Sequence, residues 1–177
     1  MPSQQPLILL ASARKESNTR LMVEQVFHDT PHQLLDLLDF QIAPYRYQND
    51  YPPEDKFLQV VEQVLQHQVI ILATPVYWYA MSGLMKTFFD RLTDLVTVQK
   101  SKGRQLKNKT LFLLAVGADA ELPDGFEVPF KLTAKYLDMT YGGSLYASTE
   151  EVETSIYHVG EHREFLRDIH ESLKETS

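Results

Sequence analysis

The feature that most constrains the fold is a short apolar run that is followed by a proline, a cluster of aromatic residues and an amphipathic helix. Val69 to Ala73 is continuous, apolar and rich in β-branched residues, a pattern typical of a strand buried on both faces of a parallel sheet. Thr74-Pro75 is predicted to end this strand, because proline donates no ladder hydrogen bond. Val76 to Ala80 is then interpreted as a loop, and Ser82 as the N-cap of the helix.

Four further segments are candidate strands, and helical patterns separate them. They are Leu7 to Ala11, Gln33 to Leu38, Thr110 to Val116 and Met139 to Ala147. Buried strands that alternate with amphipathic helices indicate an α/β fold with a parallel sheet. Right-handed crossovers, together with a polar loop after the first strand that suits a phosphate, favour a three-layer, doubly wound, five-stranded sheet of strand order 2-1-3-4-5. Gly142-Gly143 indicates a bulge or a close approach of another group in the last strand. We expect one domain, 1–177.

A polar segment, Ser12 to Thr19 with the sequence SARKESNT, follows the first predicted strand, and helical spacing of apolar residues begins after it. The N–H groups in the first turn of a helix have no partner within the helix, and the helix dipole favours an anion there. Five side chains of the segment could add contacts to a phosphate: Ser12, Arg14, Ser17, Asn18 and Thr19. Ser17 or Asn18 would also serve as an ordinary N-cap, but the whole string favours a phosphate site. Without a glycine, the segment is neither a Walker A nor a G-x-G-x-x-G loop.

These two parts of the chain resemble the cofactor-binding motifs of the NAD(P)H-dependent FMN reductase family, which has a flavodoxin-like fold. The segment from Ala11 to Thr19 is similar to the family's G-S-x-R-x-x-S-N-T loop, with Ala11 in place of the usual glycine. The string A-T-P-V-Y-W-Y-A-M-S-G-L-M-K-T-F-F-D-R is similar to the family's second flavin-contacting segment, in which an S/T-P-x-Y-W/F loop lies beside the isoalloxazine ring. The resemblance implies that FMN is the cofactor and that NADH or NADPH is the electron donor.

The resemblance also implies which residues hold the FMN. The polar segment would bind the phosphate, the aromatic loop would lie beside the ring, and Val116-Gly117-Ala118 would offer backbone donors to its pyrimidine end. The residues expected to bind the cofactor are Ser12, Arg14, Ser17, Asn18, Thr19, Pro75, Val76, Tyr77, Trp78 and Gly117. One of the three aromatic residues Tyr77, Trp78 and Tyr79 is instead expected to plug the edge of the sheet. We expect no catalytic acid or base and no metal.

The composition excludes several other classes of protein. The sequence has no cysteine, which excludes disulfides, thiolate metal sites and the iron–sulfur flavoproteins that share this fold. The net charge of −7 and the lack of a dominant basic stripe argue against nucleic-acid binding. The N-terminal segment MPSQQP has neither a basic region nor a long apolar stretch. We therefore expect no signal peptide, no membrane span and a cytoplasmic location.

Two further patterns are assigned no functional role. Thr97 to Lys109 holds five basic residues and no acid, which would suit the ribose phosphate of NADPH. However, a helix that leaves the cofactor edge of the sheet ends at the opposite edge, where cations complement its C-terminus. This segment would therefore act at a flavin only if a neighbouring subunit brought it there. His158 and His162 stand four residues apart, but no carboxylate motif supports a metal site.

We predict an NAD(P)H-dependent FMN oxidoreductase in which a hydride passes through flavin N5 to a second, small-molecule acceptor such as a quinone or a flavin. The alternative is a flavodoxin-like one-electron carrier. The acidic balance of the chain suits a carrier, but flavodoxins use a compact T-G-x-T turn instead of the S-A-R-K-E-S-N-T loop. A flavin-free interaction module that keeps only the fold is the third possibility.

The chain is also expected to form a homodimer. Reductases of the family it resembles build their substrate site beside a subunit interface. Apolar residues between Tyr77 and Met81 would be covered in such an arrangement.

Overall fold

The predicted alternation of strands and helices forms a parallel sheet between two layers of helices. The strands are β1 (Leu7–Leu10), β2 (Gln33–Asp36), β3 (Val69–Tyr77), β4 (Ala80–Met81), β5 (Thr110–Gly117) and β6 (Thr140–Ser148). The helices are α1 (Asn18–Val26), α2 (Phe57–Leu65), α3 (Gly83–Thr97), α4 (Lys100–Gly103), α5 (Val128–Tyr136), α6 (Thr149–Thr154) and α7 (Val159–Lys174). The computed structural model describes residues 3–155 and 159–174, so His158 lies outside the described residues.

The strand order confirms the predicted α/β fold. The parallel strands lie in the order β2-β1-β3-β5-β6. Without β4, which only pairs antiparallel with the end of β3, this is the predicted order 2-1-3-4-5. Helices α2, α3 and α5 pack on one face of the sheet, and α1 and α7 pack on the other. The central strands β1, β3 and β5 are buried along most of their length, as their continuous apolar sequences predicted.

The last strand contains the bulge that its paired glycines predicted. The pairing of β5 with β6 shifts register between Leu111 and Phe112, which lie opposite Tyr141 and Gly143. The skipped residue is Gly142, where a Cβ would lie 2.4 Å from the Phe112 ring. A residue larger than glycine therefore does not fit at this bulge unless Phe112 moves.

The prediction that Thr74-Pro75 ends β3 is wrong, because the strand continues through the proline to Tyr77. The Ala73 carbonyl accepts a hydrogen bond from the Ala11 N–H at 2.9 Å. Backbone polar groups alternate in direction along a strand, so position 75 faces the same side as position 73. On that side β1 has already ended. The missing proline N–H therefore leaves no ladder hydrogen bond unmade, which is the condition under which proline fits in a strand.

A buried arginine fastens the long loop between β2 and α2 to helix α3. Arg91 is 2% exposed, and its guanidinium donates to Asp55 at 2.7 and 3.0 Å, to Asp94 at 2.8 Å and to the Ala43 carbonyl at 2.9 Å. It also lies 3.5 Å from the centre of the Tyr51 ring. Burial alone would raise the pKa of the Asp55 carboxyl, but the hydrogen bonds from Arg91 hold it below its usual value. The loop is thus held on the outside of α3.

Within the part of the chain that is described, no helix combines the length and the apolar character that a bilayer crossing requires.

His162, the second histidine of the pair with four-residue spacing, has its Nε2 atom 3.0 Å from the Val26 carbonyl oxygen. Residues 3–155 and 159–174 contain no cluster of three or more potential metal ligands.

We expect Arg91→Met to lower the free energy of unfolding by about 3–5 kcal/mol, because two buried carboxylates lose their cation. Lys86→Met is the matched control on the same helix. Its pair with Asp90 is exposed, so its loss should cost less than about 1 kcal/mol. Urea denaturation at pH 7 measures both values, and equal losses would contradict a stabilising role for the buried ion pairs.

The same ion pairs should make stability depend on pH in the acid range. Because the folded-state pKa of Asp55 is lowered, its contribution is complete above the ordinary carboxyl pKa, about 4, and is lost as the pH falls through the lower folded-state value. Arg91→Met should lack this component of the acid-induced loss. Urea denaturation curves of both proteins between neutral and acid pH measure the difference.

Candidate cofactor site

Two hydroxyl groups join the ends of β1 and β3 to the start of α3. The Ser82 hydroxyl donates to the Ala11 carbonyl at 2.6 Å and accepts from the Met85 N–H at 3.1 Å, so Ser82 is the N-cap that the sequence predicted. The Ser82 N–H in turn donates to the Thr74 hydroxyl at 3.0 Å. Both Ser82 and Thr74 are buried. The polar segment after β1 and the hairpin between Thr74 and Ser82 therefore have a fixed relative position.

The polar segment 12–19 places hydroxyl groups and the first turn of α1 at the carboxyl edge of the sheet. Ser17 is the N-cap of α1, and its side chain accepts from the Arg20 N–H at 3.2 Å. Ser12 and Thr19 are 2% and 1% exposed. The first turn of α1 contains no acidic residue, so the helix itself does not neutralise its positive end. First-turn N–H groups together with buried hydroxyls form a donor set that fits a phosphate group.

A buried carboxylate holds this segment against the end of β2. The Asp36 side chain accepts from Lys15 at 2.9 Å and from Arg20 at 2.5 Å, and it also caps the turn after β2 through the Leu38 N–H. Arg20 Nε donates to the Lys15 carbonyl at 2.7 Å. Arg14, the cation that the sequence motif singled out, is exposed. Arg20, rather than Arg14, therefore holds the segment in place.

The aromatic segment forms a tight hairpin instead of an irregular loop. The end of β3 pairs with β4, and Trp78 and Tyr79 form the turn between them. Both residues have a positive φ, 50° and 64°, as a type I′ turn requires, although bulky residues rarely adopt this conformation. Their side chains are 94% and 70% exposed, and that of Tyr77 is 44% exposed. None of these three aromatic side chains is buried, so the expectation that one of them plugs the sheet edge is wrong.

The loop after β5 forms the third side of the site. A Cβ on Gly117 would lie 3.2 Å from the Val76 Cβ and 2.6 Å from the Tyr146 hydroxyl, so glycine is needed for this close approach. The Tyr146 hydroxyl donates to the Asp119 carbonyl at 2.6 Å, and the Thr149 hydroxyl donates to the Gly117 carbonyl at 3.0 Å. Burial, followed by the nearby carboxylates, raises the pKa of Tyr146. The two hydrogen bonds hold the start of the loop against the end of β6.

The sequence prediction missed helix α6, which also contacts the site. Ser148 and Glu151 form a capping box at its start, and the S-x-x-E pattern of such a box is visible in the sequence. From this helix, Glu153 accepts a hydrogen bond from the Asn18 amide at 3.0 Å. The amide of Asn18 is therefore oriented by α6, while nothing in the sequence indicated that these two distant segments meet.

The structure places all the predicted cofactor residues at this edge of the sheet, in the segment from Ser12 to the first turn of α1, at the end of β3 and its hairpin, and at the end of β5. Of their side chains, those of Ser12, Thr19 and Pro75 are buried, those of Ser17, Asn18 and Val76 are half-buried, and those of Arg14, Tyr77 and Trp78 are exposed. Direct contacts connect the loops in pairs: Ser82 bonds to Ala11, and Gly117 packs beside Val76. The edge therefore has a polar end at α1 and an apolar, aromatic end at the hairpin.

Comparisons with known proteins agree with this arrangement. A family model described as NADPH-dependent FMN reductase matches residues 6–154. The chain is 27% identical over 119 residues to a Bacillus subtilis protein named as an NAD(P)H-dependent FMN-containing oxidoreductase, YwqN; the match covers 63% of this chain and 66% of that relative. The chain thus spans just under two thirds of that relative's length.

Two solved structures share the fold. The Trp repressor binding protein of Bacillus subtilis superposes with a TM-score of 0.68 at 22% identity, covering 89% of this chain and 95% of that chain. General stress protein 14 of Treponema denticola, solved in complex with FMN, has a TM-score of 0.64 at 19% identity, covering 93% of this chain and 99% of that chain.

We expect Ser82→Ala to lower the free energy of unfolding by about 1–3 kcal/mol, because α3 loses its cap and the buried Ala11 carbonyl loses its donor. Thr97→Ala is the control on the same helix. Its hydroxyl is exposed and bonds only within the helix, so the change should stay within about 0.5 kcal/mol. Urea denaturation of both variants measures the difference, and a Ser82→Ala protein as stable as the wild type would contradict the role of this hydroxyl.

Proposed function

Because the chain belongs to the NADPH-dependent FMN reductase family and has FMN as its cofactor, we propose that it transfers a hydride from NADH or NADPH to a small-molecule acceptor such as a quinone or a flavin. Bound FMN would supply the hydride-accepting atom, N5, and pass the electrons on to the acceptor. The observation that carries the proposal is the phosphate-type donor set at the start of α1, next to an exposed aromatic hairpin.

The protein's own task is to position the cofactor by its two ends. We assign the phosphate to the first-turn N–H groups of α1 and to the hydroxyls of Ser12, Ser17 and Thr19. Backbone groups of Val76 and Gly117, which lie at the ends of the neighbouring strands β3 and β5, are the candidates to face the ring. Preorganised backbone donors of this kind stabilise negative charge that develops during a reaction. No side chain is needed as an acid or a base.

The hairpin favours a reductase, which must leave the ring open to two successive substrates. The exposure of Trp78 and Tyr79 means that they contribute little to the core of this chain, yet each holds a conformation that costs about 1–3 kcal/mol. Strain of this kind is retained where the arrangement serves a function. Small residues follow directly, and a Cβ on Gly83 would meet no atom within 4 Å. This leaves room for a planar substrate beside aromatic surfaces.

We further propose that the protein acts as a homodimer. We also propose that it acts in the cytoplasm, because a chain without cysteine suits that compartment.

A one-electron carrier is the second candidate function. The observation that favours it is the acidic balance of the chain, which has a net charge of −7.

Removal of a hydroxyl from the phosphate site should weaken FMN binding. Ser17→Ala or Thr19→Val should reduce the affinity for FMN about ten- to a hundredfold, because a hydrogen bond to a charged group contributes about 1.5–3 kcal/mol. The affinity for riboflavin, which lacks the phosphate, should not change. Fluorescence titration of the apoprotein measures both, with Thr97→Ala as the control variant. Unchanged FMN affinity in both test variants would remove the phosphate assignment.

The reaction itself separates a reductase from a carrier. Under anaerobic conditions, NADH or NADPH should bleach the flavin absorbance of the holoprotein within minutes, and oxygen or a quinone should restore it. Steady-state rates should follow ping-pong kinetics, because the acceptor replaces the nicotinamide. If neither nicotinamide changes the spectrum while dithionite bleaches it, the protein is a carrier.

A further inference from the structure

Two hydroxyl groups hold the backbone after β5 from the side of β6. The Thr149 hydroxyl donates to the Gly117 carbonyl at 3.0 Å, and the Tyr146 hydroxyl donates to the Asp119 carbonyl at 2.6 Å. The Tyr146 ring also packs on Gly117, since a Cβ there would lie 3.3 Å from the ring atom Cε2. Two alternate carbonyls of this loop are therefore fixed by side chains that lie outside it.

These two hydrogen bonds also set the direction of two backbone N–H groups. A trans peptide is planar, so its N–H points away from its C=O, and the described part of the chain contains no cis peptide. The Gly117 carbonyl is bonded on the β6 side, so the Ala118 N–H points to the β3 side, where the hairpin begins. In the same way, the Asp119 carbonyl directs the Ala120 N–H away from β6.

Both N–H groups are open to a ligand. Neither donates a hydrogen bond to any residue that the structure describes, and Ala118 and Ala120 are exposed. The pairing of β5 ends at Val116 on the side of β3 and at Gly117 on the side of β6, so both donors lie beyond the last paired residues. Backbone donors that are fixed in direction and left without a partner suit a ligand that carries negative charge.

We propose that Tyr146 and Thr149 are positioning residues that aim these two N–H groups at the pyrimidine end of the flavin. The proposal rests on the proposed position of the ring beside Gly117, and it holds for a reductase and for a carrier alike. A reduced flavin carries more negative charge at its pyrimidine end than an oxidised one. Donors that are already held in place stabilise that charge without reorganisation. The two hydroxyls should therefore raise the midpoint potential of the bound flavin.

The charged side chains of the loop oppose this stabilisation, so the backbone has to supply it. Asp119, Glu121 and Asp124 are exposed, and the segment 117–130 contains no basic residue. Water and salt screen exposed carboxylates, whereas a direct hydrogen bond to a charged group is short and strong. The direction of the two amides therefore decides whether the loop favours the reduced or the oxidised flavin.

The first test measures the midpoint potential of the FMN-loaded protein by stepwise reduction with dithionite at pH 7. Tyr146→Phe keeps the ring on Gly117 and removes the hydroxyl. Its potential should be about 30 mV more negative than that of the wild type, which corresponds to about tenfold weaker binding of the reduced flavin relative to the oxidised flavin. Tyr141→Phe is the matched control on the same strand, because its hydroxyl bonds to Glu127 at 2.8 Å. An unchanged potential in Tyr146→Phe, or an equal shift in Tyr141→Phe, would overturn the proposal.

The second test measures the affinity of the apoprotein for FMN and for riboflavin by fluorescence titration. Thr149→Val should weaken the binding of both about three- to tenfold, because the donors at the ring end lose their fixed direction. Thr154→Val is the control on the same helix, since its hydroxyl is exposed and bonds only within α6. A loss of affinity for FMN alone would assign the effect to the phosphate, and it would contradict the positioning role, as would unchanged affinity for both ligands.

Neither test uses a nicotinamide, so the proposed function and the positioning role can fail separately. A protein that does not react with NADH or NADPH would still show the shift in potential if the two hydroxyls aim the amides. Conversely, a protein that both nicotinamides reduce would lose only the positioning role if Tyr146→Phe kept the wild-type potential.

Discussion

The geometry of the cofactor site depends on the hydrogen bond from the Ser82 hydroxyl to the Ala11 carbonyl, 2.6 Å long. Ser12, the first residue of the polar segment, follows Ala11 directly, and the hairpin ends one residue before Ser82. The same oxygen also caps α3. A single buried side chain therefore sets the distance between the end of the site that fits a phosphate and the end that carries the aromatic residues. This coupling lets loops that come from different strands act as one site.

The position of the hairpin follows from unequal strand lengths. The pairing of β1 with β3 ends at Ala73, whereas β3 runs on to Tyr77. The extension has β5 on one side as far as Pro75, and the hairpin then supplies its own partner strand. The sheet thus has a step at its carboxyl edge, directly beside the start of α1. In open α/β sheets, a ligand binds at this point between the first strand and its neighbour. Here the part of β3 that extends beyond β1 forms one side of that site.

The sequence was sufficient for the fold because the sheet is buried on both faces. Short, continuous apolar runs between helical patterns are typical of buried parallel strands, and the order of the strands then places the loops after β1, β3 and β5 at one edge. The length of β3 could not be predicted in the same way. Whether Pro75 ends a strand depends on whether another strand lies beside its missing N–H, which only the tertiary structure decides. Likewise, the six residues of α6 are too few for a helical period, although their capping box was recognisable. The exposure of Trp78 could not be predicted either. A residue in a turn belongs to no helical or strand periodicity, so the sequence does not indicate whether its side chain faces the core or the solvent.

The electrostatics of the site explain how an acidic protein can hold an anion. The formal charges nearest to the polar segment are largely compensated, since Lys15 and Arg20 both bind Asp36 and Lys15 also reaches Asp39 at 2.6 Å. What remains are fixed dipoles: the first turn of α1, free of acidic residues, and hydroxyls that are buried with it. Such groups need no counter-ion and lose little freedom when a ligand binds, because the Asp36 contacts already hold the segment. Solvent and salt screen the exposed charges that lie farther from the site, so the net charge of −7 has little effect there. Local donors therefore decide whether a phosphate binds, and the charge of the whole chain does not.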